Sequence, residues 1–182
     1  MRQHALGVTL LALSISACAP NSTSMEAQRA RLADGARVEL KNREGKSVGT
    51  LTVATQSGGG ARFSGRLTDL STGVHGVHIH EFGKCQAPDF TSAGGHFNPE
   101  GKQHGEFNPQ GKHAGDIGNL RVDANGSAEV ALLADAVTLG PGETSLLKPG
   151  GTSLVIHAGP DDLKTDPSGN SGDRIACGVI TR

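Results

Sequence analysis

The chain is punctuated by short runs in which apolar and polar residues alternate, and none repeats at the 3.6-residue spacing of a helix. ARVELK (36–41), SVGTLTVAT (47–55), ARFSGRLTDL (61–70) and GVHGVHIH (73–80) come first. IGNLRVD (117–123) and SAEVALL (127–133) flank Ala124-Asn125-Gly126, and TSLVIHA (152–158) and RIACGVIT (174–181) complete eight. Alternation of period two sends successive side chains to opposite faces of an extended strand. Eight such strands at short intervals predict an all-β sandwich or barrel. Gly126 supplies the positive φ that a tight hairpin requires. The lack of Trp and Tyr, with 27 glycines, suits a β protein with long ordered loops.

Three segments interrupt the rhythm: about 82 to 115, LGPGETSLLKPG (139–150) and GPDDLKTDPSGNSGD (159–173). Structureless connections of such length in a compact domain are usually functional. The first contains GGHFNPEGKQHGEFNPQGKHAGD (94–116), in which an FNPxGK unit is written twice, ten residues apart. Gly, Asn and Pro at that density make neither a long helix nor a regular strand. Ordering the loop costs about 1–2 kcal/mol of backbone entropy per residue, and it carries little apolar side chain to offset that. It does carry His96, His104, His113 and Asp116, at spacings of eight, nine and three. Three imidazoles and one carboxylate are a sufficient set for tetrahedral zinc.

Further histidines precede and follow this loop. In VHIHEF, strand alternation puts His78 and His80 on one face, about 7 Å apart, with Val77 and Ile79 on the other. Such a pair suits copper or zinc. His75 has the opposite parity, so it is expected to point toward the core as a structural residue bonded to backbone. His157 lies on the apolar SLVIHAG segment and becomes a further ligand if the fold carries it to the His78/His80 pair.

The N-terminus, MRQHALGVTLLALSISAC, has a charged start, an apolar run and small residues before Cys18. That is the layout of a secretory signal peptide, too short for a spanning helix. ISAC resembles the lipobox of bacterial lipoproteins, which implies acylation at Cys18 and a stable anchor at roughly 0.8 kcal/mol per buried methylene. Ordinary cleavage nearby, leaving a soluble protein, is the alternative. The expected organisation is a signal peptide over 1–17, a tether over 18–35 and one domain over 36–182. Export favours disulfides, and with Cys18 taken by lipid, Cys85 and Cys177 remain as a pair. A formal net charge of −1 gives no reason to expect a nucleic-acid partner.

GVHGVHIHEFGKC, SAGGHFNP, KHAGDIGNL, LVIHAGPDDL and GNSGDRIACGVI together resemble, in order, the exported copper/zinc superoxide dismutases of bacteria, over about 36 to 182. The resemblance implies a flattened eight-stranded Greek-key β-barrel, of immunoglobulin-like architecture. It implies dismutation of superoxide to dioxygen and hydrogen peroxide with one copper and one zinc per chain, in the bacterial envelope facing the periplasm. It assigns copper to His78, His80, His96 and His157, and zinc to His96, His104, His113 and Asp116, with His96 as a bridge that also carries a proton. Asp161 is the carboxylate linking a copper-side to a zinc-side histidine, and His75 the structural histidine beneath the copper. Arg174 stands at the mouth of the copper channel, and Cys85–Cys177 is the intrachain disulfide. Segment 159–173 is short beside the eukaryotic electrostatic loop, so Lys84 and Lys164 are the candidates left for charge steering. Exported members include monomers and homodimers. The rival reading is an envelope copper-binding module of the same fold without turnover. A zinc hydrolase would need an open zinc position, which four protein ligands close.

Overall fold

A computed structural model describes residues 35–182. The expected signal segment, Cys18 and nearly all of the expected tether lie outside the described residues.

Eight strands form: β1 (Ala36–Asn42), β2 (Ser47–Thr55), β3 (Ala61–Leu67), β4 (Gly73–His80), β5 (Asp116–Val122), β6 (Ala128–Ala134), β7 (Ser153–His157) and β8 (Arg174–Thr181). In β1 the alternation is fully expressed, with Ala36, Val38 and Leu40 buried and Arg37, Glu39 and Lys41 exposed. β3 stops at Leu67, short of the expected residue 70. There Thr68 N–H bonds Val48 O, Leu70 N–H bonds Gly126 O, and Asp69 takes positive φ. The chain is turning away from the sheet.

All pairings are antiparallel, in the order β5-β4-β7-β8-β1-β2-β3-β6. The two end strands, β5 and β6, are consecutive in sequence and joined by a tight turn in which Asp123 N–H bonds Ser127 O at 2.8 Å. The sheet therefore curls back on itself as a nearly closed, flattened barrel. The β3–β4 and β6–β7 connections cross between the two halves, giving Greek-key topology.

Phe63, Leu40, Leu51, Leu67, Ile79, Leu146, Leu154 and Ile156 fill the interior. A satellite cluster of Phe90, Ala93, Val155 and Cys177, with Cys85 against it, lies beneath the long loop. That loop buries more apolar surface than its composition suggests. Phe90 and Phe97 are 1% and 3% exposed, whereas Phe107, the counterpart of Phe97 in the second FNPxGK copy, is 68% exposed. The repeated units are thus not equivalent: the first plugs into the main core and the second faces solvent. Phe97 N–H bonds Ile79 O, Gly115 N–H bonds Phe97 O, and Ile79 N–H bonds Gly115 O, so the middle of the loop and its C-terminal end are stitched to β4. A side chain at Gly115 would overlap the Ile79 carbonyl.

Cys85 and Cys177 form a disulfide across 92 residues of sequence, tying the loop to β8. Cross-linking a loop that long restricts the unfolded chain. The double variant Cys85→Ser/Cys177→Ser is expected to lose about 2–4 kcal/mol, read as a lower urea midpoint. An unchanged midpoint would contradict this account.

Candidate metal centre

Strand register assembles the first group of ligands. Val77 and Ile79 enter the core, so His78 and His80 project from the barrel's outer face, where the loops cover them to 0% and 1% exposure. On β7, Val155 pairs with His78, placing His157 diagonally beside His78 on the same face, with ring centroids 4.8 Å apart. An isolated antiparallel bridge between His80 and His96 brings in the fourth ring.

Each ring is fixed through one nitrogen. His80 Nδ1 donates to Gly94 O at 2.9 Å, His157 Nδ1 to Gly172 O at 3.0 Å, and His78 Nε2 to Asp161 Oδ2 at 2.8 Å. His96 Nδ1 lies 2.9 Å from Asp116 Oδ1. The other nitrogens, His78 Nδ1 and Nε2 of His80, His96 and His157, are buried without hydrogen-bond partners among the described residues. One ligand atom from each of the four rings lies within 4.8 Å of the rest. Burial lowers His78, takes His80 well below the usual range, and brings His96 and His157 to about 4. The rings are neutral at neutral pH, with lone pairs available to a cation.

A second group adjoins the first. Asp116 Oδ1 lies 2.9 Å from His96 Nδ1, 3.0 Å from His104 Nδ1 and 3.3 Å from His113 Nδ1, and the last is 3.4 Å from His96 Nδ1. Ligands about 2.0–2.1 Å from a tetrahedral zinc are separated by roughly 3.3 Å, so the donor set fits that metal. Asp116 Oδ2 is anchored by the N–H groups of Gly105 (2.9 Å) and His113 (3.0 Å). His78 also approaches His96, His104 and Asp116, but its Nε2 is committed to Asp161, and His113 completes the tetrahedral spacing better.

Asp161 stands between the groups, with Oδ2 on His78 and Oδ1 accepting from His104 Nε2 at 3.0 Å. Burial alone would raise this carboxyl, but hydrogen bonds from His104, His78 and Leu163 N–H outweigh it and hold the group below the usual carboxylate range. Asn119 clamps the Asp161 main chain in both directions, at 2.8 and 2.9 Å. Gly169 packs so closely that a Cβ there would overlap Asp161 Oδ1. The sequence reading missed both residues. Gly169 lay within the GNSGD motif without an evident role, and Asn119 is one polar residue of an ordinary strand. Each ring nitrogen of His75 sits 2.8 Å from a carbonyl, of His157 and of Ser71. Arg174, half-buried, donates through Nη1 to Phe90 O (2.7 Å) and through Nη2 to Gly94 O (2.6 Å), the carbonyl that also receives His80. Lys84 and Lys164 are exposed.

A family model described as copper/zinc superoxide dismutase matches residues 47–180. The chain belongs to that family. It is 50% identical over 147 residues to superoxide dismutase [Cu-Zn] 2 of Aquifex aeolicus, spanning 80% of this chain and 85% of the relative. With superoxide dismutase [Cu-Zn] of Caulobacter vibrioides it shares 38% identity over 144 residues, 78% of this chain and 82% of the relative. The crystal structure of a SOD-like protein from Bacillus subtilis superposes with a TM-score of 0.76 at 43% identity, covering 79% of this chain and 96% of that one.

The family's cofactors, copper and zinc, suit the two donor groups, and the metal-free dismutase fold has its own signature in pH. His96 and His157 bind protons more weakly folded than unfolded, so they withdraw stability as pH falls from about 6.5 toward 4. Asp116 and Asp161, both below the usual range, stabilise above about pH 4 and lose that below it. His104 is opposite. Burial lowers it, but bonds to Asp116 and Asp161 raise it overall to about 9. Its contribution is complete below about pH 6.5 and lost as pH rises through 9. Thermal unfolding of the metal-free protein across pH 4–10 is expected to peak near pH 6–7. One equivalent of zinc should abolish the alkaline decline, and a monotonic profile would contradict the His104 environment.

Proposed function

We propose that this protein dismutates superoxide, two anions and two protons giving dioxygen and hydrogen peroxide, at a copper site formed by His78, His80, His96 and His157. Zinc, in this reading, is held by His96, His104, His113 and Asp116. The observation that carries it is the convergence of four buried, unpartnered imidazole nitrogens beside a second donor set that shares His96. Copper bound there would supply one-electron redox chemistry that takes an electron from one superoxide and returns it to another.

The chain's residues do the rest. The Arg174 guanidinium remains cationic; burial lowers its pKa and Asp89 opposes that. Two of its donors hold main-chain carbonyls, which fixes the fork, and the others can meet an incoming anion with charge-assisted hydrogen bonds. His96 Nε2, buried and without a hydrogen-bond partner among the described residues, is placed to hold a proton between half-reactions and to pass it to the departing peroxide. Asp116 and Asp161 fix the ring orientations on which that transfer depends. The signal segment supports export to the bacterial envelope, with Cys18 as the lipid-bearing mature N-terminus, a tether over 18–35 and the enzyme domain over 36–182. Lys84 and Lys164, both exposed, are candidates to add to the attraction for anions.

Metal analysis and an electron spin resonance spectrum of the purified protein, followed by a superoxide assay, test this reading. One copper and one zinc per chain with turnover are expected. Stoichiometric copper without turnover would mark a copper-binding module instead. Arg174→Ala should keep both metals and lose roughly tenfold or more in activity at low ionic strength, the scale of one charge-assisted contact. Unchanged turnover there would remove Arg174 from its role. Asp116→Ala should retain copper and lose zinc, and full zinc occupancy in that variant would show the donor set to be misassigned.

A further inference from the structure

Five residues beyond Asp161, the β7–β8 loop carries a second carboxylate aimed at the zinc-side histidines. Asp166 Oδ1 accepts the backbone N–H of His104 at 2.6 Å and stands 3.9 Å from His113 Nε2. The opposite nitrogen of that ring, Nδ1, faces Asp116. His104 is therefore gripped twice by one loop, its ring by Asp161 and its main chain by Asp166. The loop's shape has support of its own. Asp162 Oδ1 accepts the N–H groups of Lys164 (3.0 Å) and Thr165 (2.8 Å), and Oδ2 accepts from Asn170 Nδ2 (3.0 Å). Gly169 N–H closes the turn on Thr165 O at 2.7 Å, and Leu163 O receives Phe107 N–H of the metal-binding loop at 2.9 Å. Asp166 is presented from a frame held by hydrogen bonds other than its own.

We propose that Asp166 is a positioning residue for the zinc ligands. It fixes the main chain of His104 and places a negative charge beside the outward nitrogen of His113, which makes that imidazole a stronger donor and slows release of the metal. The inference rests on the assignment of zinc to His96, His104, His113 and Asp116.

The test is the rate at which a chelator removes zinc from the purified, metal-loaded protein, together with the visible spectrum of the same site filled with Co²⁺. Wild type is compared with Asp166→Ala, Asp166→Asn and Asp173→Asn. Asp173 is a carboxylate of the same loop paired with Arg43. Asp166→Ala is expected to release zinc about 10–100-fold faster, with a shifted cobalt band. Asp166→Asn keeps an acceptor for His104 but no charge for His113, and should fall between, about threefold or more above wild type. Asp173→Asn should behave as wild type. Release from Asp166→Ala within twofold of wild type would overturn the proposal, as would equal acceleration in Asp173→Asn. Should Asp166→Ala fail to fold, wild-type release and an unshifted band in Asp166→Asn would overturn it. Wild-type protein that takes up neither zinc nor cobalt would refute the zinc assignment itself, and the inference with it.

Discussion

Burying imidazoles beneath loops made largely of Gly, Asn and Pro leaves four ring nitrogens, on His78, His80, His96 and His157, without a hydrogen bond or an ion-pair partner among the described residues. A buried polar atom deprived of its partner costs about 1–3 kcal/mol, a deficit that a bound cation relieves at all four atoms together. The barrel interior has no such deficit, since it is filled by aliphatic residues with Phe63 and, from the long loop, Phe97. The face beneath the loops has one. Their order and the metals are two sides of one equilibrium, in which binding energy becomes folding energy for the segments over the outer face.

The barrel was legible because its information is local. β2, β4 and β8 follow directly from alternation, and the parity of β4 separates His78 and His80 from Val77 and Ile79 in the sequence itself. The end of β3 was not legible, because it is set by hydrogen bonds to Val48 and Gly126, distant in sequence. The loops show the same division. The histidines stand out by residue type, but the residues that aim them do not. Asn119 and Asp166 act only through segments that fold back from far along the chain, and Gly169 only through the coil of its own loop onto Asp161. Nor does sequence separate Phe97 from Phe107: the two FNPxGK units are nearly identical, and their fates differ by which one reaches the Ile79 backbone.

Loop 158–173 joins the two donor groups mechanically. Gly172 O fixes His157, Asp161 fixes His78 and His104, and Asp166 fixes the His104 main chain. Arg43, from the β1–β2 turn, braces its far end by bonding both Asp173 and the Arg174 carbonyl. A chain with few apolar contacts is thus held by short polar ones at nearly every turn, and its contribution is geometric: it sets ring orientation, and ring orientation sets which nitrogen meets a cation.

The carbonyl of Gly94 receives hydrogen from both the His80 ring and the Arg174 guanidinium. The residue adopts φ 77°, and a Cβ there would press on Glu81 and Phe82. In the proposed reaction, anion capture and electron exchange thereby share a single fixed point of the main chain. Mutational drift at this position cannot trade one off against the other, because a shift of that oxygen detunes the two together.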